Sequence, residues 1–192
     1  MNAIQLLKDD HKKVRKLLGE LADTTPRGVK TRTELLEKIA LELRVHTKIE
    51  EEIFYPALKA AAQNHDDQKM YFEALEEHRA AGELVLPDLE KTDVASDKFS
   101  GRAKVLKELV EHHADEEEKE MFPRARELLD ADQLNELGAR MEARKQELLA
   151  GDEAGLVGKA AARLVDALSI DEVPPQRSQS RGNGRADAPR SR

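Results

Sequence analysis

The chain has 192 residues, enough for one domain of ordinary size and a tail. It contains no cysteine, which excludes disulfides, thiolate metal sites, iron–sulfur clusters and thiol catalysis. A net charge of −7 argues against nucleic acid as the main partner, and 37% charged residues among long runs of helix formers point to an all-α protein.

The first stretch, Met-Asn-Ala-Ile-Gln-Leu-Leu-Lys-Asp-Asp, is too polar too early for a secretory signal, and no apolar run is long enough to cross a bilayer. These features give the expectation of a soluble cytoplasmic protein. Residues 2–22 form one predicted helix, with Ile4, Leu7, His11, Val14, Leu18 and Leu21 in steps of three and four. Thr24-Thr-Pro26-Arg-Gly28 breaks that pattern. A second helix is predicted over about 30–62, with Leu36, Ile39, Leu43, His46, Glu50 and Ile53 in the same rhythm and Pro56 expected to kink it or release a carbonyl. Residues 63–67 read as a polar connection that includes His65.

The third predicted helix, about 67–90, places Tyr71, Ala74, His78, Ala81 and Val85 on one face; Pro87 falls near its end. After a loop to Asp97, a fourth covers about 98–129 with Leu106, Val110, His113, Glu117 and Met121 inward and Pro123 repeating the kink. Short connections between four amphipathic helices predict an up-down-up-down bundle. A fifth helix, 131–150, offers Leu134, Leu137, Met141 and Leu148 to one end of that bundle, with Asp130 as a cap. The predicted organisation is therefore a domain over 1–150, a hinge at 151–155 leading into a short helix within 151–170, and a disordered basic tail over 171–192.

One stretch occurs twice: His46-Thr-Lys-Ile-Glu50 closing on Phe54-Tyr55-Pro56, and His113-Ala-Asp-Glu-Glu117 closing on Met121-Phe122-Pro123. Each copy has an upstream histidine, His11 or His78, and every matched pair is separated by 67 residues. All four histidines and both glutamates stand where the helical stripe otherwise puts Leu, Val or Ile. Four residues along a helix rotate by only about 40°, so each His and its Glu project side by side. Burying two carboxylates near one another costs several kcal/mol unless a cation offsets it. Imidazole and carboxylate without sulfur suit iron or manganese, and zinc acceptably.

A single His-x-x-x-Glu is usually a surface pair, and a lone histidine on an apolar face is usually a hydrogen-bonded core residue. Neither explains four inward histidines in strict register. His65 has no echo in the repeat; His112 corresponds to Val45 and points sideways; Glu51 and Glu118 repeat as candidates for a supporting role. There is no Glu-x-x-His and no His-Glu-x-x-His, and Gly158-Lys159-Ala160 lacks the first Gly and the Ser/Thr of a phosphate loop.

The order His11, His46-x-x-x-Glu50, His78, His113-x-x-x-Glu117, with Phe-Tyr-Pro and Met-Phe-Pro after the pairs, resembles the bacterial hemerythrin-like HHE cation-binding domain family over about residues 1–150. The resemblance implies a four-helix bundle around a non-haem di-iron centre with an oxo or hydroxo bridge and metals about 3.5–4 Å apart. It implies that Glu50 and Glu117 bridge, that His11 and His46 serve one iron, and that His78 and His113 serve the other. The oxygen-carrying members use a fifth histidine one turn after the third-helix one, where this chain has Gly82, and an Asp five residues after its histidine, where this chain has Glu117 at four. An open ligand position favours chemistry over reversible oxygen carriage. The expected function is reaction with peroxide or another small oxygen or nitrogen species (O2, H2O2 or NO), with catalase-like turnover. The alternative is a non-enzymatic oxygen, nitric oxide or redox sensor or an iron-binding module, and the oligomeric state stays open.

Overall fold

The computed structural model describes the backbone of residues 1–168 and the side chains of residues 1–151. The tail expected at 171–192 lies outside the described residues. All described secondary structure is helical. Helix α1 is Ala3–Ala22. Helix α2 covers 29–61 as Val29–Ile49, a π-helical turn Glu50–Phe54 and Tyr55–Ala61. Helix α3 covers 65–90 as His65–His78, a π-helical stretch Arg79–Val85 and Leu86–Glu90. Helix α4 covers 97–128 as Asp97–Glu116, a π-helical turn Glu117–Met121 and Phe122–Leu128. Helix α5 is Ala131–Leu168.

The four long helices pack as a bundle in which α1 meets α2 and α4, and α3 meets the same two. The helix starts carry legible caps. Asn2 and Ser96 accept from the amides of Gln5 and Phe99, and Asn64 forms a reciprocal box with Asp67. That box starts α3 at His65, so the histidine expected in a connection is the exposed first residue of a helix.

The prolines do not produce simple kinks. Each of Pro56, Pro87 and Pro123 follows a residue whose amide donates five residues back: Tyr55 to the Glu50 carbonyl, Leu86 to Ala81 and Phe122 to Glu117. A proline ring crowds the carbonyl four residues behind it, and a widened turn moves that carbonyl aside without ending the helix.

Asp67 shows how the ends are tied. Its carboxylate accepts from the Gln63 and Asn64 amides and, bidentately, from Arg124 Nε at 2.7 Å and Nη2 at 3.0 Å, joining the start of α3 to the end of α4. The Arg124 guanidinium and those amides hold the carboxyl down to about 2, below its ordinary 3.8. The bond's stabilisation is therefore complete above pH 4 and is lost as pH falls through about 2. Asp67→Asn is expected to cost about 1–2 kcal/mol at pH 7, with the deficit shrinking between pH 4 and 2 in urea titrations.

Apolar side chains gather into two clusters. Ile4, Leu7, Ile49, Phe54, Met121 and Phe122 belong to one, which Leu134, Leu137 and Met141 of α5 complete as expected, with Leu148 packed partly against it. Val14, Leu18, Ile39, Leu43, Phe99 and Leu106 belong to the other. A Cβ at Gly138 would come within 2.5 Å of the Met1 carbonyl, so glycine there lets the N-terminal strand of chain lie against α5. The chain divides after Ala154 into two units, of which Met1–Ala154 carries the bundle. Helical backbone nevertheless runs without a break through Gly151 and Gly155, where a hinge and a separate short helix over about 156–169 were expected. Two isolated glycines at about 1 kcal/mol each do not end a helix whose other residues there favour it.

Candidate metal centre

Between the two apolar clusters lies a polar layer. Helix α1 passes from Leu7 through His11 to Val14, α2 from Leu43 through His46 to Ile49, and α4 from Val110 through His113 and Glu117 to Met121. Helix α3 contributes His78. All six predicted ligands are buried, with Glu50 at 0% exposure and Glu117 at 2%.

The contacts between them are reciprocal. Glu50 Oε2 lies 3.1 Å from His46 Nε2 and 3.3 Å from His78 Nε2. Glu117 Oε2 lies 3.1 Å from His11 Nε2 and 3.7 Å from His113 Nε2. Each carboxylate thus reaches, through one oxygen, a histidine of both pairs. His11 and His46 face each other with ring centroids 4.9 Å apart, and His78 and His113 with centroids 4.6 Å apart. His11, His46, Glu50 and Glu117 converge within 4.8 Å as one potential metal-holding group, and Glu50, His78 and His113 as another.

Every histidine turns its other nitrogen to a carboxylate. Nδ1 of His11 donates to Glu118 Oε1 at 3.0 Å, of His78 to Glu51 Oε1 at 3.0 Å and of His113 to Glu77 Oε2 at 2.8 Å. His46 Nδ1 faces Asp10 Oδ2 at a longer 3.7 Å, and Asp10 is itself bonded by Lys145 of α5. A proton fixed on Nδ1 leaves the Nε2 lone pair pointing inward, the tautomer that binds metals. Asp10 and Glu77 are separated by the same 67 residues as the ligands, as are Glu51 and Glu118. Sequence reasoning singled out the second couple and missed the first, although the common offset was there to find it.

The apolar flanks repeat with one difference. Phe122 stacks on His11 at 5.7 Å, and Tyr55, its counterpart in the repeat, stacks on His78 at 5.4 Å. The Tyr55 hydroxyl donates to Glu117 Oε1 at 2.9 Å and sits 3.3 Å from His78 Nε2. In the sequence Tyr55 stands out only as part of the Phe-Tyr-Pro that closes the first repeat. The hydroxyl itself is the signal that it does more. His112 stays outside, 62% exposed and 3.2 Å from Glu116.

The electrostatics belong to a site built around positive charge. Burial, and then the Glu117 charge, push Glu50 well above the carboxylate range. Burial acts in the same sense on Glu117, but His113 and His11 outweigh it and hold that carboxyl low. Burial opposes protonation of His11 and His113, yet Glu117 raises both; His46 is depressed by burial to about 4. Burial and the two glutamates keep the Tyr55 hydroxyl protonated far above its ordinary range. Both Glu50 oxygens, Glu117 Oε2 and the Nε2 atoms of His11 and His46 have no hydrogen-bond partner. His78 Nε2 and His113 Nε2 are 3.0 Å apart, so with Nδ1 protonated on each, two lone pairs confront one another. Orphaned oxygens and opposed nitrogen lone pairs at one point are the donor set of a cation, and the residues fit a metal pair.

A helical bundle with a buried layer of four histidines and two glutamates defines a metal-binding fold class. The family model for the hemerythrin HHE cation binding domain matches residues 2–125, and the chain belongs to that family. An uncharacterized protein of Mycobacterium tuberculosis is 32% identical over 169 residues, covering 88% of this chain and all of that protein; one from Mycobacterium bovis matches equally. A DNA nickase of a Nostoc species is 27% identical over 81% of this chain but only 43% of its own length. The crystal structure of a hemerythrin HHE cation binding domain-containing protein from Mycobacterium kansasii superposes with a TM-score of 0.72 at 30% identity, covering 86% of this chain and 98% of that one. No helix among the described residues is long and apolar enough to cross a membrane.

Proposed function

We propose that this domain holds two iron ions and reacts with peroxide, with catalase-like turnover. The observation that carries the proposal is the pair of buried carboxylates, each reaching one histidine of both pairs. His11 and His46 would hold one metal and His78 and His113 the other, with Glu50 and Glu117 between them. An iron pair bound there would supply two electrons to split the O–O bond of one hydrogen peroxide into water and regain them by oxidising a second to O2, whose O–O bond stays intact.

The protein's own groups set the conditions for that chemistry. Glu118, Glu51 and Glu77 orient His11, His78 and His113 through Nδ1, and Asp10 lies behind His46. Phe54 and Phe122, both fully buried, exclude water from one side. The Tyr55 hydroxyl keeps a proton beside Glu117 Oε1 and the inner nitrogen of His78, where an oxygen ligand would need one. Gly82 leaves open the position that a fifth histidine fills in oxygen carriers.

The test is to express the protein, quantify iron, record the visible spectrum and follow oxygen evolution after adding peroxide. About two irons per chain with rapid oxygen release is expected. Two irons with no release would instead favour a sensor of oxygen or nitric oxide. His65→Ala, at the exposed start of α3, is expected to leave iron content unchanged. An iron-free protein whose stability is indifferent to His46→Ala would sink the metal assignment.

A further inference from the structure

A cavity of about 570 Å³ opens on the centre, with all four histidines on its floor. Glu50, Glu117 and Tyr55 are not part of its lining. Much of its wall is apolar, with Val14 from α1, Leu43 from α2, Leu75 and Leu86 from α3 and Val110 from α4, although charged residues that include Glu51, Glu77 and Glu83 line it too. Water occupies about 30 Å³, so hydrogen peroxide, with two oxygens, needs roughly a tenth of this volume. Cavities of this size hold organic ligands. Water filling it would face hydrocarbon over most of the wall, whereas an apolar body would displace that water favourably.

The mouth speaks to charge. Arg44, Lys48 and Arg79 stand there, and each is already engaged by a carboxylate: Glu90 at 2.5 Å, Glu52 at 3.4 Å and Glu76 at 2.8 Å. With these cations matched and Glu51, Glu77 and Glu83 in the same lining, the opening disfavours an anion such as a fatty acid. Polar acceptance is concentrated at the floor, where the imidazoles are. Gly82 lines the same space, and a Cβ placed on it would meet nothing within 4 Å.

We propose that this cavity binds the body of a neutral organic hydroperoxide, with its oxygen-bearing head at the four histidines and Gly82 setting the room available. The proposal rests on the peroxide reaction above and names a substrate class for its reductive half: the hydroperoxide takes two electrons and two protons to give an alcohol and water, and one hydrogen peroxide oxidised to O2 returns them. A non-reactive probe is 2-phenyl-2-propanol, which has an aryl body and a single hydroxyl head. Titration of the iron-loaded protein with this alcohol, followed by calorimetry and by the iron spectrum, should show saturable one-to-one binding. In the series Gly82→Ala, Gly82→Leu and Gly82→Phe, affinity should fall with side-chain volume, by about tenfold or more at the large end. Helicity by circular dichroism should stay constant, because a Cβ at this exposed helical position meets nothing within 4 Å, and iron per chain is measured in each variant so that affinities are compared per iron-loaded protein. The leucine variant alone decides the matter if the phenylalanine variant does not fold.

No saturable binding, or an affinity that is flat across the series, overturns the proposal. The two assignments fail separately. A protein that holds iron and releases oxygen from hydrogen peroxide but ignores the alcohol refutes the organic substrate and keeps the peroxide reaction. A protein that binds the alcohol in a Gly82-dependent way yet carries no iron refutes the peroxide reaction and keeps the cavity.

Discussion

Glu50→Leu is expected to empty the centre of paired iron and, at the same time, to make the metal-free chain more stable. Glu50 has no exposure, and neither of its oxygens has a hydrogen-bond partner. Its environment already disfavours the charged form, through burial first and the Glu117 charge second. Leucine has a similar volume and removes two buried oxygens that have no hydrogen-bond partner; leaving such a group unsatisfied costs about 1–3 kcal/mol, and the metal-free chain should recover that much. The loss is on the metal side: Glu50 Oε2 approaches both His46 and His78, so in the proposed two-metal centre both halves would lose a ligand together. Elemental analysis and urea denaturation of the metal-free protein read the two effects independently. A substituted chain that retains two irons would rule out Glu50 as a bridge; unchanged metal-free stability would rule out a buried carboxylate cost that metal offsets.

Arg32→Ala should be the most damaging change remote from the centre, at about 3–5 kcal/mol. The guanidinium is buried, 2% exposed, and lies 5.1 Å from the centre of the Phe99 ring. Nε donates to Thr24 Oγ1, Nη1 to the Val94 carbonyl, and Nη2 to the Thr24 carbonyl and Ser100 Oγ. One side chain therefore ties the α1–α2 turn to the α3–α4 loop and the first turn of α4. Truncation leaves acceptors without donors and a void under Phe99. Since native domains are stable by only about 5–15 kcal/mol, the denaturation midpoint should fall steeply. A shift under about 1 kcal/mol would show that water replaces the guanidinium without difficulty.

The sequence announced the centre more clearly than it announced Arg32, and the reason is physical. Histidine and glutamate at stripe positions contradict the apolar period, and repetition at one fixed spacing makes the contradiction systematic. Arg32 stands between Lys30 and Glu34 in a charged run, where an arginine normally faces water. Only the three-dimensional meeting of two loops gives it acceptors. The spans of the first four helices were legible from caps and periodicity to within two residues or so, whereas the fifth runs on to Leu168 through the expected hinge. The π-turns were not, because a proline signals a disturbed carbonyl without saying how the chain accommodates it. The cavity was hidden for a related reason: Ala81 and Val85 continue the stripe of α3, yet they are only half-buried in the structure.

The single hydroxyl at Tyr55, opposite the bare ring of Phe122, has a consequence for any diatomic ligand. The ring of ligands is nearly two-fold, so on its own it would treat the two ends of such a molecule alike. One hydrogen-bond donor on one side removes that equivalence. The layer of histidines and glutamates acquires a head and a tail, with the hydroxyl end beside His78 and the hydrocarbon end beside His11. Under the proposed function, even a symmetric molecule entering the centre would be bound with a direction.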